Sequence, residues 1–364
     1  MGVLTYQPLI AMGVAFFVVA FLVPMLHAPA ARMGLVDQPG GRKQHDGLVP
    51  LTGGLAIFAG FAFGLMLVDD SLRPYASLLV GMGLMLLTGL VDDLIDISAS
   101  AKLSAQVLAA VLMVSWGEVQ IHSLGSLVGV KPVLLGEWAI PFTVLCVLIL
   151  VNAINMADGT DGLAGGLTAV ALAMLLAVGA LGEAGRALMS VIGLLLVSVV
   201  AFLIYNLRFP GRRRARIFLG DSGSLMLGFA LAWLAVYISQ SSRGVSVYPV
   251  AIAWILILPV LDVLTLYLRR IMKGRSPFSA DREHLHHVLL RSGFGPGATV
   301  WLLLLVMTVF GLVGVFGWRQ GWPEWALFVG LAPVFLLQYL CSIRAWRVIR
   351  VLRRTRRRVK RLKP

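Results

Sequence analysis

The chain has 364 residues, of which 59% are hydrophobic and only 13% are charged. A soluble domain is about 45–50% apolar and about 25% charged, so this composition excludes an ordinary soluble protein. The net charge of +14 would suit nucleic acid, but the basic residues lie in short loops between apolar runs and at the C-terminus. Such placement suits anionic membrane lipids and predicts no nucleic-acid partner.

Apolar runs with at most one charged residue recur along most of the sequence, most of them near the roughly 20 residues that cross a bilayer as a helix. They are, in chain order, Leu9–Leu26, Leu51–Val68, Tyr75–Val91, Leu103–Trp116, Trp138–Val151, Leu163–Leu181, Ala187–Tyr205, Phe218–Ile238, Tyr248–Leu268, Ala298–Phe316 and Trp325–Tyr339. We therefore predict an all-α, polytopic integral membrane protein with about eleven transmembrane helices. One transmembrane domain is expected over residues 1–341, followed by a basic tail over 342–364.

Lysine and arginine are distributed unevenly between the two sets of loops that these spans define. Of the 31 basic residues, 26 lie in one set of loops and the C-terminal tail, and 5 lie in the other set. Loops rich in lysine and arginine remain on the cytoplasmic side. The N-terminus is therefore predicted outside the cell and the C-terminus in the cytoplasm, where the tail would lie against the anionic inner leaflet.

Acidic residues gather on the same predicted side, in segments such as LVDDLIDIS, NAINMADGTDGLAGG and FLGDSGS. Carboxylates near hydrocarbon are costly unless they are paired, hydrated or bound to metal. On helices, Asp92 and Asp96 would share one face, and Asn152, Asn155 and Asp158 would share another. The pattern predicts a functional site, whereas isolated acids would only mark helix ends.

Converging carboxylate and amide oxygens, together with phosphate and water, suit Mg²⁺. The acids therefore indicate phosphate chemistry with Mg²⁺ as cofactor, for which Mn²⁺ is expected to substitute. Two basic loops on the same side could neutralise a diphosphate. The first carries Arg42, Lys43 and His45, and the second carries Arg282 and the histidine-rich segment HLHH. Zinc binding by these histidines is an alternative, although no matched Cys or Glu set accompanies them.

Five of these segments, between about Arg42 and Phe294, resemble in sequence and order those of the polyprenyl-phosphate N-acetylhexosamine-1-phosphate transferase family. The segments RKQHDGLVPLTGG and SPFSADREHLHH are most similar to the bacterial UDP-N-acetylglucosamine:undecaprenyl-phosphate branch. The wider family includes phospho-N-acetylmuramoyl-pentapeptide transferase and the eukaryotic dolichyl-phosphate enzyme.

The resemblance implies a transfer of a sugar 1-phosphate from a UDP-sugar to undecaprenyl phosphate, with release of UMP. This step initiates a cell-surface glycan, such as the O-antigen of lipopolysaccharide or a cell-wall polymer. The implied location is the bacterial inner membrane, with the active site facing the cytoplasm. Family analogy also implies a homodimer.

The resemblance further implies roles for matched residues. Asp92 and Asp93 match the paired aspartates, the first as base or orienting group for the lipid phosphate, and Asp221 matches a Mg²⁺ ligand with Asn155 nearby. The remaining matches are catalytic or substrate-binding. Lys102 matches a phosphate contact and Asp158 a contact to metal and substrate. On the nucleotide side, Asp161 matches a contact to the nucleoside, Phe218 a residue that stacks on uracil and Asn206 a nucleotide contact. The histidines His284, His286 and His287 match contacts to the diphosphate or sugar.

Three alternatives remain open at this point. The donor could carry N-acetylfucosamine, N-acetylquinovosamine or muramoyl-pentapeptide, since the segments mainly match UDP, metal and phosphate contacts. Transfer could proceed in two steps, with Asp158 as a covalent nucleophile. The protein could instead be a transporter of an anionic solute, although transporters place polar sites near the midplane and often contain repeated halves, and no repeat is evident here.

Overall fold

A computed structural model describes residues 6–37, 48–68, 70–182, 184–209, 211–212, 214–240, 247–274, 284–344 and 349–351. The helices are α1 (Gln7–Met25), α2 (His27–Met33), α3 (Gly53–Leu65), α4 (Ala76–Ile95), α5 (Ala99–Ser115), α6 (Ala139–Ala157), α7 (Leu163–Leu181), α8 (Arg186–Asn206), α9 (Gly220–Gln240), α10 (Pro249–Ile255), α11 (Ile257–Met272), α12 (Leu285–Arg291), α13 (Pro296–Arg319) and α14 (Glu324–Ile343). Strands β1 (Val36–Asp37) and β2 (Val49–Pro50) form a short antiparallel pair. The predicted all-α class is confirmed.

Each predicted span falls on an apolar helix or helix pair. Eight helices are long and apolar enough to cross a membrane, namely α1, α4, α6, α7, α8, α9, α13 and α14, and the pair α10 and α11 would make a ninth. Helices α3 and α5 are apolar but have only 13 and 17 residues. The chain is therefore a multi-pass membrane protein, and eight or nine of the eleven predicted spans meet the length requirement in the described part of the chain.

The span predicted over Tyr248–Leu268 is divided between α10 and α11, which are bent by 82° relative to each other. Leu256 lies at the break, where Pro259 follows three residues later. Proline has no N–H to donate to the carbonyl of Ile255, and its ring crowds that carbonyl. The helix therefore restarts in a new direction, which turns α11 across the bundle.

Helix α9 forms the centre of the bundle and packs most closely against α4 and α6. Its Trp233 is fully buried and donates an indole hydrogen bond to Ser77 near the start of α4, at 2.9 Å. At the other end of the same pair, the first residues of α9 bond to Asp93 near the end of α4. This antiparallel arrangement brings the acidic end of α4 to the acidic start of α9.

The segment that leads into α9 is fixed by backbone hydrogen bonds to the start of α3. Phe218 N–H donates to the carbonyl of Pro50 at 2.9 Å, and Gly53 N–H donates back to the carbonyl of Phe218 at 3.0 Å. Gly54 N–H donates to the carbonyl of Leu219 at 3.1 Å. The short helix α3 thus supports the entry to α9, where Asp221 lies.

Candidate active site

Lys102 lies between two carboxylates at one end of the bundle. Its ammonium is 2.7 Å from Asp92 Oδ2 and 3.4 Å from Asp221 Oδ2. The position of Lys102 follows from local sequence, because Ser98 caps α5 by accepting a hydrogen bond from Ala101 N–H at 3.3 Å. This cap starts α5 so that its first turn directs Lys102 back toward α4. Two separate helices thereby place their carboxylates against one cation.

The side chain of Asp92 also closes the turn between α4 and α5. Its second oxygen, Oδ1, accepts a hydrogen bond from Ile97 N–H at 2.9 Å. The predicted shared face of Asp92 and Asp96 is wrong, because α4 ends at Ile95 and Asp96 adopts a left-handed conformation with φ 52°. Asp92 is buried, whereas Asp96 is exposed. Only the first of these two acids therefore belongs to the site.

Asp93 orients the start of α9 through the backbone. Its two oxygens accept hydrogen bonds from the N–H groups of Asp221 and Ser222, at 2.9 and 3.1 Å. A carboxylate is favourable at a helix N-terminus, where backbone N–H groups have no partner within the helix. The residue before Asp221 is Gly220, whose φ of 75° suits glycine. Asp93 therefore positions Asp221, and its oxygens are already engaged by the protein.

A glycine in α4 allows this close approach of α4 to α9. A Cβ at Gly89 would overlap the carbonyl carbon of Asp221 and the backbone nitrogen of Ser222. No side chain fits there without moving the peptide that carries Asp221. The small residue is thus part of the geometry of the site.

We expect Gly89→Ala to lower the turnover of the protein about tenfold to a hundredfold, because displacing a reactive group by about 1 Å can cost that much. Gly83→Ala in the same helix is the matched control, since a Cβ there meets nothing within 4 Å. Turnover and the thermal unfolding midpoint of both variants would be measured in detergent. Equal turnover of the two variants would contradict this role of Gly89.

The asparagines of α6 divide between two neighbours. Asn155 Nδ2 donates to Asp221 Oδ1 and to Ser224 Oγ, both at 2.9 Å. Asn152 Nδ2 donates instead to Gln106 Oε1 of α5 at 2.8 Å. Asn155 therefore belongs to the cluster around Asp221, while Asn152 connects α6 to α5.

Asp158 follows the last residue of α6, beside the other carboxylates. Burial by surrounding protein raises the pKa of Asp158 well above its usual range, and the charges of Asp221, Asp93 and Asp161 act in the same direction. The N–H of Gly220 opposes this shift of the pKa by hydrogen bonding to the carboxylate. A concentration of carboxyl groups at this end of the bundle therefore accompanies the cation of Lys102.

Asp161 and Asn206 hold the neighbouring loops together. Asp161 Oδ2 accepts hydrogen bonds from Arg208 Nε at 2.8 Å and from Ala215 N–H at 3.0 Å. Asn206, only 3% exposed, accepts from Gly162 N–H at 2.8 Å and donates to the carbonyl of Ile217 at 2.7 Å. These contacts place Asn206 behind the site, where it supports the turn after α6. The predicted contact of Asn206 with a nucleotide would therefore be indirect, made by the loops that Asn206 supports.

The three histidines lie together at α12, against the turn that follows Asp158. The rings of His284 and His286 stack at 5.7 Å, and those of His286 and His287 are 4.2 Å apart. A Cβ at Gly159 would lie 2.9 Å from His286 Nε2. Burial, followed by the neighbouring His287 ring, lowers the pKa of His286 to about 3. His286 is therefore neutral near pH 7, and its Nε2 has no hydrogen-bond partner among the described residues.

Four predicted site residues, Arg42, Lys43, His45 and Arg282, lie outside the described residues. Phe218 is inside them and partly exposed, and its backbone joins β2 as stated above. The roles of Arg42, Lys43, His45 and Arg282 therefore remain predictions. The structure brings together the other matched acids, Lys102, Asn155 and the three histidines at one end of the bundle.

The donor set suits a divalent cation that is completed by substrate. No group of three or more His, Cys, Asp or Glu side chains in the described ranges is arranged to hold a metal alone. Mg²⁺, however, commonly uses one or two carboxylates together with phosphate oxygens and water. The carboxylates of Asp92 and Asp221 both contact one ammonium, and the carboxyl group of Asp158 lies near enough for the charge of Asp221 to raise its pKa. These residues fit Mg²⁺.

Two residues with clear contacts in the site were not predicted. Ser224 accepts from Asn155 Nδ2; it belongs to the segment FLGDSGS, but the sequence assigned no role to its hydroxyl. Asp262 of α11 accepts from His284 Nδ1 at 2.9 Å. An ionisable residue within an apolar span is a recognisable signal, because such residues are costly in hydrocarbon.

The fold and the site together define a multi-pass membrane protein with an acidic polar centre at one end of its helices. The chain belongs to glycosyl transferase family 4, whose sequence model matches residues 75–239. It is 35% identical over 347 residues to the undecaprenyl-phosphate alpha-N-acetylglucosaminyl 1-phosphate transferase of Yersinia pestis, with 95% of this chain and 94% of that relative covered. The protein of the same name from Haemophilus influenzae is 36% identical, with 95% of this chain and 98% of that relative covered. The one from Escherichia coli K12 is 35% identical, with 91% of this chain and 90% of that relative covered.

Proposed function

We propose that the protein transfers N-acetylglucosamine 1-phosphate from UDP-N-acetylglucosamine to undecaprenyl phosphate and releases UMP. The observation that carries this proposal is the cluster of Asp92, Lys102 and Asp221 at the end of an apolar bundle. Similarity over more than 90% of the chain to relatives of the corresponding name supports it. The product would initiate a cell-surface glycan at the inner membrane.

In this proposal the site faces the cytoplasm, where nucleotide sugars are available, and the uneven distribution of basic loops supports that orientation. Lys102 would contact phosphate, since its ammonium provides a charge against developing negative charge. Asp92 would orient the lipid phosphate, or accept its proton. The neutral His286 would present Nε2 to the diphosphate or sugar beside the turn at Gly159.

Asp221 and Asn155 would hold Mg²⁺ in this proposal, with Asp158 close by. When bound, Mg²⁺ supplies charge neutralisation for a diphosphate and its leaving phosphate. The matched residues do not require Asp158 to act as a nucleophile, and direct attack by the lipid phosphate is the simpler route. Mn²⁺ is expected to substitute, since it also prefers oxygen ligands.

An apolar cavity of about 440 Å³ supports a polyprenyl chain as the acceptor tail. It lies between α6, α9, the bent pair α10–α11, and α14, and its walls include Phe142, Leu150, Val260 and Phe328. Along α6 it extends toward the end that carries Asn155. On α6 the lining ends at Leu150, five residues before Asn155, and its hydrocarbon walls suit the tail of a lipid phosphate.

We expect undecaprenyl phosphate to slow the alkylation of Cys146 by N-ethylmaleimide several-fold, because Cys146 is in the wall of this cavity. The measurement uses the Cys341→Ala variant, so that Cys146 is the one remaining cysteine of the two in the chain. Cys341 in the Cys146→Ala variant is the control, and the lipid should leave its rate unchanged. Unaltered alkylation of Cys146 at saturating lipid would argue against this groove as the acceptor site.

The donor is tested by UMP release from purified protein with undecaprenyl phosphate and Mg²⁺. UDP-N-acetylglucosamine is compared with UDP-N-acetylfucosamine, UDP-N-acetylquinovosamine and UDP-muramoyl-pentapeptide. We expect release with the first donor. Release with another donor alone would keep the reaction and change the sugar, whereas no release with any donor would favour a transporter of an anionic solute.

A further inference from the structure

Asp262 is a partly buried acid in α11, and its described side-chain contacts are with the histidine segment and α14. Its Oδ2 is 2.9 Å from His284 Nδ1. Its Oδ1 accepts hydrogen bonds from Leu285 N–H at 3.0 Å and from Gln338 Nε2 at 3.2 Å. The side chains of Asp262 and His284 are 19% and 8% exposed. One carboxylate thus connects α11, α12 and α14.

The contact with Asp262 determines which nitrogen of His284 is available to a ligand. An ionised carboxylate can only accept a hydrogen bond, so Nδ1 of His284 carries the proton. The other nitrogen, Nε2, is then directed away from the carboxylate. In the neutral ring it is the nitrogen that accepts a hydrogen bond. Without Asp262 both tautomers and a rotated ring would become accessible.

Asp262 also fixes the helix that carries the other two histidines. His284 precedes α12, and the bond from Leu285 N–H to Asp262 fixes the first residue of that helix. The ring of His284 stacks on His286, whose Nε2 lies against the turn at Gly159. A shift at Asp262 would therefore be transmitted to the histidine beside the turn at Gly159.

We infer that Asp262 is the positioning residue of the histidine segment, setting the tautomer of His284 and the placement of His286 toward the diphosphate. This inference rests on the proposed function. Asp262 itself makes no contact with the cluster of Asp92, Lys102 and Asp221 among the contacts described, so it acts through the histidines.

The same turn of α11 faces the lipid cavity on its opposite side. Val260 and Leu264 line the cavity, and residues four apart share one face of a helix. Asp262 lies two residues from each, on the other face. The helix that lines this cavity is therefore also the helix that holds His284.

The test is Asp262→Asn, which keeps the size of the side chain but removes its charge. We expect kcat for UMP release to fall roughly tenfold to a hundredfold, the loss typical of removing a group that orients a metal-bound histidine. KM for the UDP-sugar should change by less than about threefold, since binding contacts elsewhere are kept. Asp96→Asn is the matched control: it removes the charge of an exposed carboxylate outside this network and should leave kcat near the wild-type value.

A double-mutant cycle with His284→Gln separates positioning from a general structural role. If Asp262 acts through His284, adding Asp262→Asn to His284→Gln should lower kcat no further. An undiminished further loss in that background, or a wild-type kcat for Asp262→Asn alone, would overturn the inference. Should the asparagine variant fail to fold, Asp262→Glu, which keeps the charge and moves it, carries the same cycle with the same expected non-additivity.

The wild-type protein distinguishes the two possible failures. If it releases no UMP with any donor, the proposed function is wrong. If it releases UMP and the Asp262 variants are as active as wild type, only the role of Asp262 is wrong.

Discussion

Replacing Asp221 with asparagine should lower UMP release by roughly a thousandfold while the protein stays folded. The carboxylate lies between Lys102 and Asn155, and the loss of one preorganised electrostatic group commonly costs about 10²–10³ in turnover. Asparagine keeps an oxygen that can accept from Asn155 Nδ2, so packing should be retained. Turnover would be measured across a range of Mg²⁺ concentrations, because a lost metal ligand should also raise the concentration required for half-maximal activity.

Asp96→Asn is the matched control for this change. Asp96 is exposed and lies in the left-handed region at φ 52°, which asparagine tolerates well. The control removes one negative charge at the same end of the bundle without touching the cluster. Normal turnover of Asp221→Asn, or an equal loss in both variants, would contradict the assignment of Asp221 as a metal ligand.

Replacing Lys102 with methionine should abolish most activity, by about 10²-fold or more, because the phosphate loses a cation in a site of low dielectric. Asp92 and Asp221 would also lose the ammonium that both of them now contact. A second consequence follows from this geometry. Mn²⁺ binding, followed by electron paramagnetic resonance, should be retained or tightened, since the competing cation is gone.

Lys131→Met is the matched control for the lysine variant. Lys131 is exposed in the loop between α5 and α6, at the opposite end of these helices from Lys102. Its removal should change neither turnover nor Mn²⁺ binding. Weaker Mn²⁺ binding in Lys102→Met would show that the lysine supports the metal site, contrary to the competition described here.

Composition and periodicity were sufficient to predict the helical bundle, because each apolar run has to bury or face lipid along its whole length. They also predicted the gathering of acids, since carboxylates near hydrocarbon are costly unless they are paired, hydrated or bound to metal. The bend at Leu256 was missed because the apolar content of a segment carries no information about the direction of the helix axis. The proline that causes it was visible in the sequence, but proline can also be accommodated within a transmembrane helix.

The finer geometry of the site was beyond the sequence for a related reason. Asp92, Asp93 and Asp96 are the same type of residue in the sequence, yet their environments differ. Asp92 contacts Lys102, Asp93 binds the backbone of α9, and Asp96 lies beyond the end of α4. These differences come from where α4 ends and from how closely Gly89 lets α9 approach. Likewise, the pairing of Asp262 with His284 joins residues 22 positions apart, and depends on the bend that the sequence pattern did not reveal.

The most direct measurement of the central claim follows the β-phosphorus of the donor. Purified protein would be supplied with undecaprenyl phosphate, Mg²⁺ and UDP-N-acetylglucosamine labelled with ³²P at the β position. We expect the label to move into the butanol-extractable lipid, with one UMP formed for each labelled lipid. Release of labelled UDP, with unlabelled sugar on the lipid, would show transfer of the sugar alone and would contradict a sugar-phosphate transfer.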